Sequence, residues 1–483
     1  MRLFDLLDGD SSQLSNVAAI KDLEITGLTC DSRKVNPGFL FAAIPGLHSD
    51  GRDYIDDAFK RGACAILAPV GTTGNGNVEV VSSANTRLSY AQMAARFFGQ
   101  QPPKISAVTG TNGKTSVVSF VRQIWEGLGR EAASLGTLGV DAPGYQTSKG
   151  LTTPDPADLH ECLALLNKRG VENVALEASS HGLDQYRLDG VNISIAGFTN
   201  ISRDHLDYHG SKEKYFYAKQ RLFTEVLMED GVSVLNADSE AYLVLSESAQ
   251  GRIVSYGRRG KDIRLEDIQV FENGQQLLLN VMGNIFSITL PLAGFFQVEN
   301  AMCALGIVLA SGADAATAVK TLENLRGVPG RLQLVGKKLD GAAIYVDFAH
   351  TPDALATVLK TLRPHAKGNL NLVFGCGGER DLGKRPEMGR IASELADKVI
   401  ITDDNPRNED ATTIRSQSLA ACPAATEIGD RAHAIRAAIA QLQKDDVLVV
   451  AGKGHETGQL IKEIEYPFND AEEICAVLKE IGS

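Results

Sequence analysis

The chain has 483 residues, with 48 lysines and arginines against 60 aspartates and glutamates, for a net charge of -12. At roughly 100 to 200 residues per domain that length predicts about three domains, and 43% hydrophobic with 22% charged residues excludes disordered, collagen-like and disulfide-scaffold classes. The acidic balance argues against nucleic acid as a partner, because binding its backbone needs a basic patch to displace counterions. Any anionic ligand must be met by locally placed donors.

Seven cysteines (Cys30, Cys64, Cys162, Cys303, Cys376, Cys422, Cys475) are scattered and odd in number, with no CxxC pair to suggest zinc or dithiol chemistry. They fit a reduced compartment. The first residues carry Arg2, Asp5 and Asp8 and so lack the apolar core of a signal peptide. No apolar run approaches the roughly 18 residues of a membrane helix, so the expectation is a cytoplasmic protein with no membrane insertion.

In chain order, the glycine-rich patch from Gly71 to Asn77 reads as a turn or loop, and Leu88 to Phe98 as a helix. Gly99-Gln100-Gln101-Pro102-Pro103 then marks a boundary before the strand candidate Ile105 to Val108. Gly327-Val328-Pro329-Gly330 marks a second, ahead of the strand candidate Ala342 to Val346. The expected domains are therefore 1–101, 102–330 and 331–483. Further strand candidates in the middle piece are Val171 to Glu177, Ile195 to Asn200 and Val232 to Asn236; in the last they are Leu370 to Phe374, Lys398 to Thr402 and Asp446 to Val450. Their alternation with helical patterns predicts an α/β fold with parallel sheets. Ligands bind at the carboxyl ends of such strands, where polar and glycine-rich residues follow here.

Ile105 to Val108 runs into Thr109-Gly110-Thr111-Asn112-Gly113-Lys114-Thr115-Ser116 and then a helical pattern to about Leu128. Glycines let backbone N–H groups close around phosphate, and the helix N-terminus adds its positive dipole end. Lys114 can reach the β and γ phosphates and Thr115 can ligate magnesium. The usual GxxxxGK[ST] spacing would need glycine at position 108, which is Val108. A chance glycine-rich turn and a shortened ATP-binding loop both fit; the lysine-threonine pair at the helix start favours the second.

The shortened loop TGTNGKT resembles that of the Mur ligases and their relatives the folylpolyglutamate synthetases, which form amides. The resemblance continues in order along nearly the whole chain. It runs through Asp31-Ser32-Arg33, His48-Ser49-Asp50-Gly51-Arg52, Thr152-Thr153-Pro154 and Glu177-Ala178-Ser179-Ser180-His181-Gly182-Leu183. It resumes in TNISRDHLDYHG from Thr199 to Gly210, in Asp347-Phe348-Ala349-His350-Thr351-Pro352-Asp353 and in Asp404-Asn405-Pro406-Arg407. It implies three domains: a small α/β N-terminal domain, a central P-loop ATPase-type parallel-sheet domain and a C-terminal Rossmann-like domain. It also implies a monomeric ATP-dependent ligase of peptidoglycan precursor synthesis, joining meso-diaminopimelate to UDP-N-acetylmuramoyl-L-alanyl-D-glutamate.

A carboxylate does not react with an amine at neutral pH, because the oxyanion is a poor leaving group. The resemblance implies transfer of the ATP γ-phosphate onto the D-glutamyl γ-carboxylate, then attack of the diaminopimelate amine on the acyl phosphate. Positioning and charge neutralisation carry the first step. Lys114, Glu177, His205 and Lys219 are the implied catalytic residues, and Thr115, Glu177, His205 and Lys219 the implied Mg2+ ligands. Glu177 alone would read as a solvated strand-end acid, and His205 alone as a structural histidine. Helical spacing puts Tyr215, Phe216, Leu222 and Phe223 on one face with Lys219. Such a lysine either snorkels outward or is held in the interior. The resemblance implies the second, with Lys219 carbamylated to N6-carboxylysine, a carboxylate able to bind magnesium.

For ATP the resemblance adds Asn300, Arg331, Asp347 and His350; by themselves Asn300 and Arg331 read as a helix cap and a surface charge. For the precursor it points to Cys30, Ser32, Leu47, His48, Ser49, Thr152, Thr153, Ser179, Gln185 and Arg187, with His181 beside them. Cys30 is expected to offer only its backbone. In the last piece Arg380, Asp404, Asn405, Pro406, Arg407, Gly452 and Glu456 combine cationic forks with carboxylates, which suits a zwitterionic amino acid. Arg407 is expected to pair with the second carboxylate of meso-diaminopimelate. L-Lysine lacks that group, and a stranded buried charge costs on the order of 3 to 5 kcal/mol. After Arg407 the chain reads Asn408-Glu409-Asp410-Ala411 where the family pattern has an acidic pair followed by proline, so a different helix start is expected. The rivals are the same ligase using L-lysine, a folylpolyglutamate synthetase, and a non-catalytic nucleotide-dependent regulatory protein. Glu177, His205 and Lys219 occurring together weigh against the last.

Overall fold

The computed structural model describes residues 1–7, 23–46, 49–73, 79–147, 151–202, 204–271 and 274–482. Asp8, Leu47, His48, Arg203 and positions 74–77 of the glycine-rich patch lie outside the described residues. The chain forms two compact units, Met1–Lys261 with Cys303–Asp314, and Asp262–Met302 with Ala315–Ser483.

The first unit opens with a parallel sheet in sequence order: β1 (Gly27–Thr29), β2 (Phe39–Ala42), β3 (Ala65–Pro69) and β4 (Glu79–Ser83). Helix Thr86–Phe98 packs Tyr90, Met93 and Ala94 into the same core as Leu40, Leu67 and Val81. The Asn85 side chain starts it by accepting the Leu88 N–H at 3.2 Å, and Gly99, at φ +73, ends it.

The second sheet of this unit comprises β5 (Lys104–Thr109), β6 (Ala132–Gly136), β7 (Gly139–Ala142), β8 (Tyr145–Gln146), β9 (Asn173–Glu177), β10 (Ile193–Phe198), β11 (Val232–Asn236) and β12 (Arg252–Gly257). Their order is β12-β11-β10-β5-β9-β6-β7-β8, parallel except at β7 and β8. β5 has parallel neighbours on both sides and is buried from Ile105 to Thr109, which is why it reads as a continuous apolar run rather than an alternating one. Helix Lys114–Gly127 follows and buries Val117, Val118, Phe120, Val121, Ile124 and Trp125, the three-and-four spacing of one helical face.

The second unit begins with an antiparallel meander, β13 (Ile263–Phe271), β14 (Gly274–Val281) and β15 (Asn284–Leu290). No strand was expected there, although Ile263, Arg264, Leu265 and Glu266 alternate buried and exposed, the period-two signature of a half-covered strand. Then come β16 (Gln333–Lys337), β17 (Ala343–Asp347), β18 (Leu370–Phe374), β19 (Lys398–Ile401), β20 (Thr426–Glu427) and β21 (Val447–Ala451), ordered β16-β17-β21-β18-β19-β20. Only β16 is antiparallel.

Leu370, Leu372 and Phe374 face a core with Leu355, Leu359, Met388 and Ile391 of helices Pro352–Leu362 and Lys384–Leu395. Ile344, Val346, Leu448 and Val450 face another, with Ile435, Ile439, Ile474 and Val477 of helices Arg431–Ala440 and Asp470–Glu480. With helices on both faces, the open end of the sheet between β18 and β21, where the strand order reverses, is the place for a ligand. The architecture is thus mixed α/β with several parallel sheets. Among the described residues no helix is long and apolar enough to cross a membrane.

Candidate active site

The loop after β5 takes a shape that depends on its glycines. Gly110 has φ +148, and a Cβ there would lie 1.9 Å from Thr199 Oγ1. Only glycine permits that approach. Gly113 adopts φ +89 and leads into the helix. The strand expected over Ile195 to Asn200 stops at Phe198 because the next two residues turn to hold the loop. Thr199 Oγ1 donates to the Asn112 carbonyl at 2.6 Å, and Asn200 Oδ1 accepts the Asn112 N–H at 3.0 Å. Thr111 Oγ1 lies 3.0 Å from the Tyr215 hydroxyl and accepts the Ser202 N–H at 3.0 Å. Lys114 Nζ, folded back over the loop, donates to the carbonyls of Gly110 and Thr111 at 2.8 and 2.9 Å. Ser116 is buried in the first turn of the helix.

Lys219 is held in the interior, at 1% exposure, with Tyr215, Leu222 and Phe223 buried around it and Phe216 half-buried. Its Nζ donates to the Gly110 carbonyl at 2.9 Å and sits 4.4 Å from the Tyr215 ring centroid. Burial, reinforced by the Lys114 charge, holds its amine well below the ordinary lysine value. A single π-helical turn, Leu222–Val226, follows directly, a distortion that often marks functional sites.

Glu177 ends β9 at 2% exposure. Its carboxylate accepts the Thr137 N–H at 2.9 Å and the Thr137 hydroxyl at 3.2 Å. Burial pushes this carboxyl up from its ordinary value, opposed by the Lys114 charge and by hydrogen bonds from Thr137 and Thr115. Thr115, Lys114 and Glu177 therefore meet. His205, at φ +49, is half-exposed, its ring 4.7 Å from His181 and 6.3 Å from Tyr215 between centroids. Among the described residues no group of three or more His, Cys, Asp or Glu is gathered to hold a metal. A threonine hydroxyl and one carboxylate nonetheless suit magnesium, which keeps water and phosphate oxygens as its other ligands.

Also in the first unit, a cleft of about 960 Å³ is lined by Cys30, Ser32, Ser49, Gln185 and Arg187 from the expected precursor set. Arg33, from the Asp31-Ser32-Arg33 motif, lines it too, as do Arg87 and Tyr54; no sequence pattern singled out the last two, since each is one polar residue in an ordinary surface segment. The Cys30 side chain is engaged: its thiol donates to Asp155 Oδ2 at 3.1 Å, and Asp155 Oδ1 accepts the Tyr90 hydroxyl at 2.8 Å. Arg187 donates to the Thr153 carbonyl and to Gln185 Oε1, both at 2.7 Å. Thr153 Oγ1 in turn donates to the Glu177 carbonyl at 2.9 Å and lies 3.0 Å from Ser179 Oγ, while Thr152 Oγ1 lies 3.1 Å from Thr137 Oγ1. A continuous chain of polar contacts thus joins the cleft to Glu177.

In the second unit the four residues expected at the nucleotide form one cluster. Asn300 Nδ2 donates to Gln297 Oε1 at 3.0 Å, and Gln297 reaches the Arg331 carbonyl at 3.4 Å. The Arg331 guanidinium lies 5.0 Å from the Phe348 ring centroid, and that ring is 4.5 Å from His350. Asp347 is buried and accepts the Leu332 and Ala349 N–H groups at 2.7 and 2.8 Å. Gln297 was legible in retrospect, three residues before Asn300 and so on the same helical face.

The ends of β18, β19 and β21 bring together most of the expected amino-acid set. Asp404 is buried, and burial pushes its carboxyl up. Asn405 Nδ2 donates to Glu456 Oε2 at 2.9 Å. Arg407, at φ +52, donates through Nη1 to the Gly378 carbonyl at 2.6 Å. Gly378 in turn lies so close to Pro406 that a Cβ would fall 1.9 Å from the Pro406 carbonyl oxygen. Gly452 adopts φ +113 beside Asp404, whereas Arg380 is exposed. The departure after Arg407 has a local explanation. Asp410 caps helix Ala411–Leu419 by accepting the Thr413 N–H at 2.8 Å, so no proline is needed to start it. Glu409 pairs with the fully buried Arg385 at 2.9 Å.

Three family models match the chain: Mur ligase family, catalytic domain over 24–98; Mur ligase middle domain over 108–308; and Mur ligase, glutamate ligase domain over 330–454. The chain is 51% identical to the UDP-N-acetylmuramoyl-L-alanyl-D-glutamate--2,6-diaminopimelate ligase of Caulobacter vibrioides, covering 98% of this chain and 99% of that one. It is 50% identical to the protein of the same name from Agrobacterium fabrum, over 97% and 95%. A solved structure of a UDP-N-acetylmuramoyl-L-alanyl-D-glutamate--2,6-diaminopimelate ligase is similar with a TM-score of 0.77 at 34% identity, over 100% of this chain and 99% of that chain. MurF ligase from Thermotoga maritima shares the fold, with a TM-score of 0.62 at 19% identity over 96% and 99%.

Proposed function

The chain belongs to the Mur ligase family, and from that premise we propose that it joins meso-diaminopimelate to UDP-N-acetylmuramoyl-L-alanyl-D-glutamate with ATP, in the cytoplasm and as a monomer. It is an ATP-dependent ligase. The observation that carries the chemistry is the meeting of Lys114, Thr115, Glu177 and Lys219 around one phosphate loop.

On this reading the precursor nucleotide belongs to residues 1–101, ATP to 102–330 and the amino acid to 331–483. The loop N–H groups and Lys114 receive the triphosphate and hold its γ-phosphorus toward the D-glutamyl carboxylate. Arg187 and Gln185, tied through Thr153 to Glu177, orient the precursor's peptide end. Asn300, Arg331, Asp347 and His350 serve the nucleotide. Thr115, Glu177, His205 and carbamylated Lys219 are the residues that would hold magnesium, which when bound neutralises phosphate charge. An amine kept neutral by burial is the form that adds to carbon dioxide: its nitrogen bonds the carbon, a proton leaves, and a carboxylate results. Arg407 and Asn405 receive the distal carboxylate and Glu456 the ammonium.

The test is ATP-dependent phosphate release with the dipeptide precursor and meso-diaminopimelate, L-lysine or no amine. Release with meso-diaminopimelate alone is expected. Equal turnover with lysine would remove the assigned role of Arg407, and no release with any amine would favour a regulatory nucleotide-binding protein.

A further inference from the structure

We propose that Lys453 is a positioning residue of the amino-acid site, holding Asn405 in the pose that receives the substrate's distal carboxylate and Glu456 in the pose that receives its ammonium group. The inference rests on the assignment of Asp404, Asn405, Arg407 and Glu456 to the amino acid made above.

Lys453 follows β21 by two residues, and its side chain is 0% exposed. Lysines ordinarily extend their charge to water, so one fully enclosed needs partners for its three donors. Nζ donates to Asn405 Oδ1 at 3.0 Å and to Glu456 Oε2 at 2.9 Å. It lies 3.7 Å from Asp404 Oδ1, an oxygen without a hydrogen-bond partner among the described residues.

This arrangement fixes the Asn405 amide in one orientation. Its oxygen receives Lys453 Nζ and the Leu460 N–H, the latter at 2.9 Å, which leaves its nitrogen to donate to Glu456. Rotated by half a turn, the amide would present oxygen to carboxylate and nitrogen to ammonium. Lys453 and the Leu460 N–H together set which edge of Asn405 faces the site.

The charges lead to the same conclusion. Arg431 and Asp470, both buried, compensate one another through contacts of 2.7 and 2.8 Å. The Arg431 guanidinium also donates to the carbonyls of Ala451 and Asp403 at 3.0 and 3.3 Å, tying the ends of β21 and β19 together. Lys453 is then the ammonium shared by two carboxylates, Asp404 and Glu456. Without Lys453, Asp404 and Glu456 would lose the ammonium they share, and Glu456 is expected to turn away.

Lys453→Met, close in volume and uncharged, separates this role from a structural one. The Michaelis constant for meso-diaminopimelate should rise by about 10- to 100-fold, the range for losing hydrogen bonds to charged groups, with the constants for ATP and precursor unchanged. In a cycle with Glu456→Gln, the two effects on the amino-acid kcat/KM should fall short of multiplying by about tenfold, because each removes the same placed carboxylate. An unchanged amino-acid constant, multiplicative effects, or a fall in kcat and melting temperature with no change in that constant would each overturn the proposal. The double variant leaves one carboxylate, Asp404, without its ammonium rather than two, and supplies the KM readout should Lys453→Met alone not fold. If the wild-type protein does not use meso-diaminopimelate, the functional assignment fails, and the crystal structure of the variant still decides the role of Lys453. Displacement of the Glu456 carboxylate from Asn405 supports it, and an undisturbed pair refutes it.

Discussion

Lys114 and Lys219, 105 residues apart by number and on different helices, donate to the same carbonyl oxygen, that of Gly110, at 2.8 and 2.9 Å. Two full ammonium charges converging on one acceptor repel. Lys219 is fully enclosed, and its amine is held well below the ordinary lysine value. Holding such an amine out of water costs the fold stability.

Lys219→Met is therefore expected to stabilise the protein while abolishing its work. In the folded state Lys219 holds its proton less strongly than in the unfolded chain. Between its depressed value and the ordinary 10.5 the unfolded state binds more protons, so wild-type stability rises with pH across that window. Thermal melts in carbonate-free buffer should show the variant melting higher at pH 7, with a smaller pH dependence. Turnover should fall by at least about 100-fold, the scale of losing a group that organises reacting charge.

Glu177→Gln should behave alike with the opposite proton sign. Burial raises this carboxyl, so relative to the unfolded chain the wild type is most stable below the ordinary 4.5 and loses that stability as pH rises through the folded value. The variant should melt higher than wild type at neutral pH, with the difference closing toward pH 4.5, and phosphate release should be lost.

Gly110→Ala tests the loop itself. A methyl 1.9 Å from Thr199 Oγ1 cannot be accommodated without breaking the bond from Thr199 to Asn112, and a loss of about 2 to 4 kcal/mol is expected from strain and lost hydrogen bonding. Denaturant melts report the stability, and nucleotide titration should show ATP binding gone.

Arg407→Lys should raise the meso-diaminopimelate Michaelis constant by about 100-fold, because a lysine cannot pair bidentately with a carboxylate. ATP binding should stay within twofold. An unchanged amino-acid constant and turnover would refute the role given to Arg407.

Cys30 is expected to be a slow thiol despite lining an open cleft. Although Cys30 is exposed, the packing around its thiol and the neighbouring Asp155 charge push it above the ordinary cysteine value. A chromogenic disulfide at pH 8 should modify Cys475, exposed like Cys30, first. Asp155 also caps helix Pro156–Lys168 by accepting the Ala157 N–H at 3.0 Å, a role that Asp155→Asn keeps; the variant should speed labelling of Cys30, measured by mass spectrometry.

Local pattern carried much of this protein. The apolar run Ile105 to Val108 followed by Gly110, Gly113, Lys114 and Thr115 specified a strand, a glycine-rich loop and a helix start. Val232–Asn236 and Leu370–Phe374 are strands over the very residues expected, because parallel strands buried on both faces leave an unbroken apolar run. The ordered motifs from Asp31 to Arg407 also named the family. Tertiary structure decided what those side chains do. The spacing around Lys219 allowed either an outward or an enclosed lysine; enclosure followed from Gly110, a partner 109 positions away. Cys30 meets Asp155 across 125 positions, and Lys453 meets Asn405 across 48. Periodicity records which face of an element is covered. Burial, charge state and the orientation of a buried amide depend on groups that only the folded chain brings within hydrogen-bonding distance.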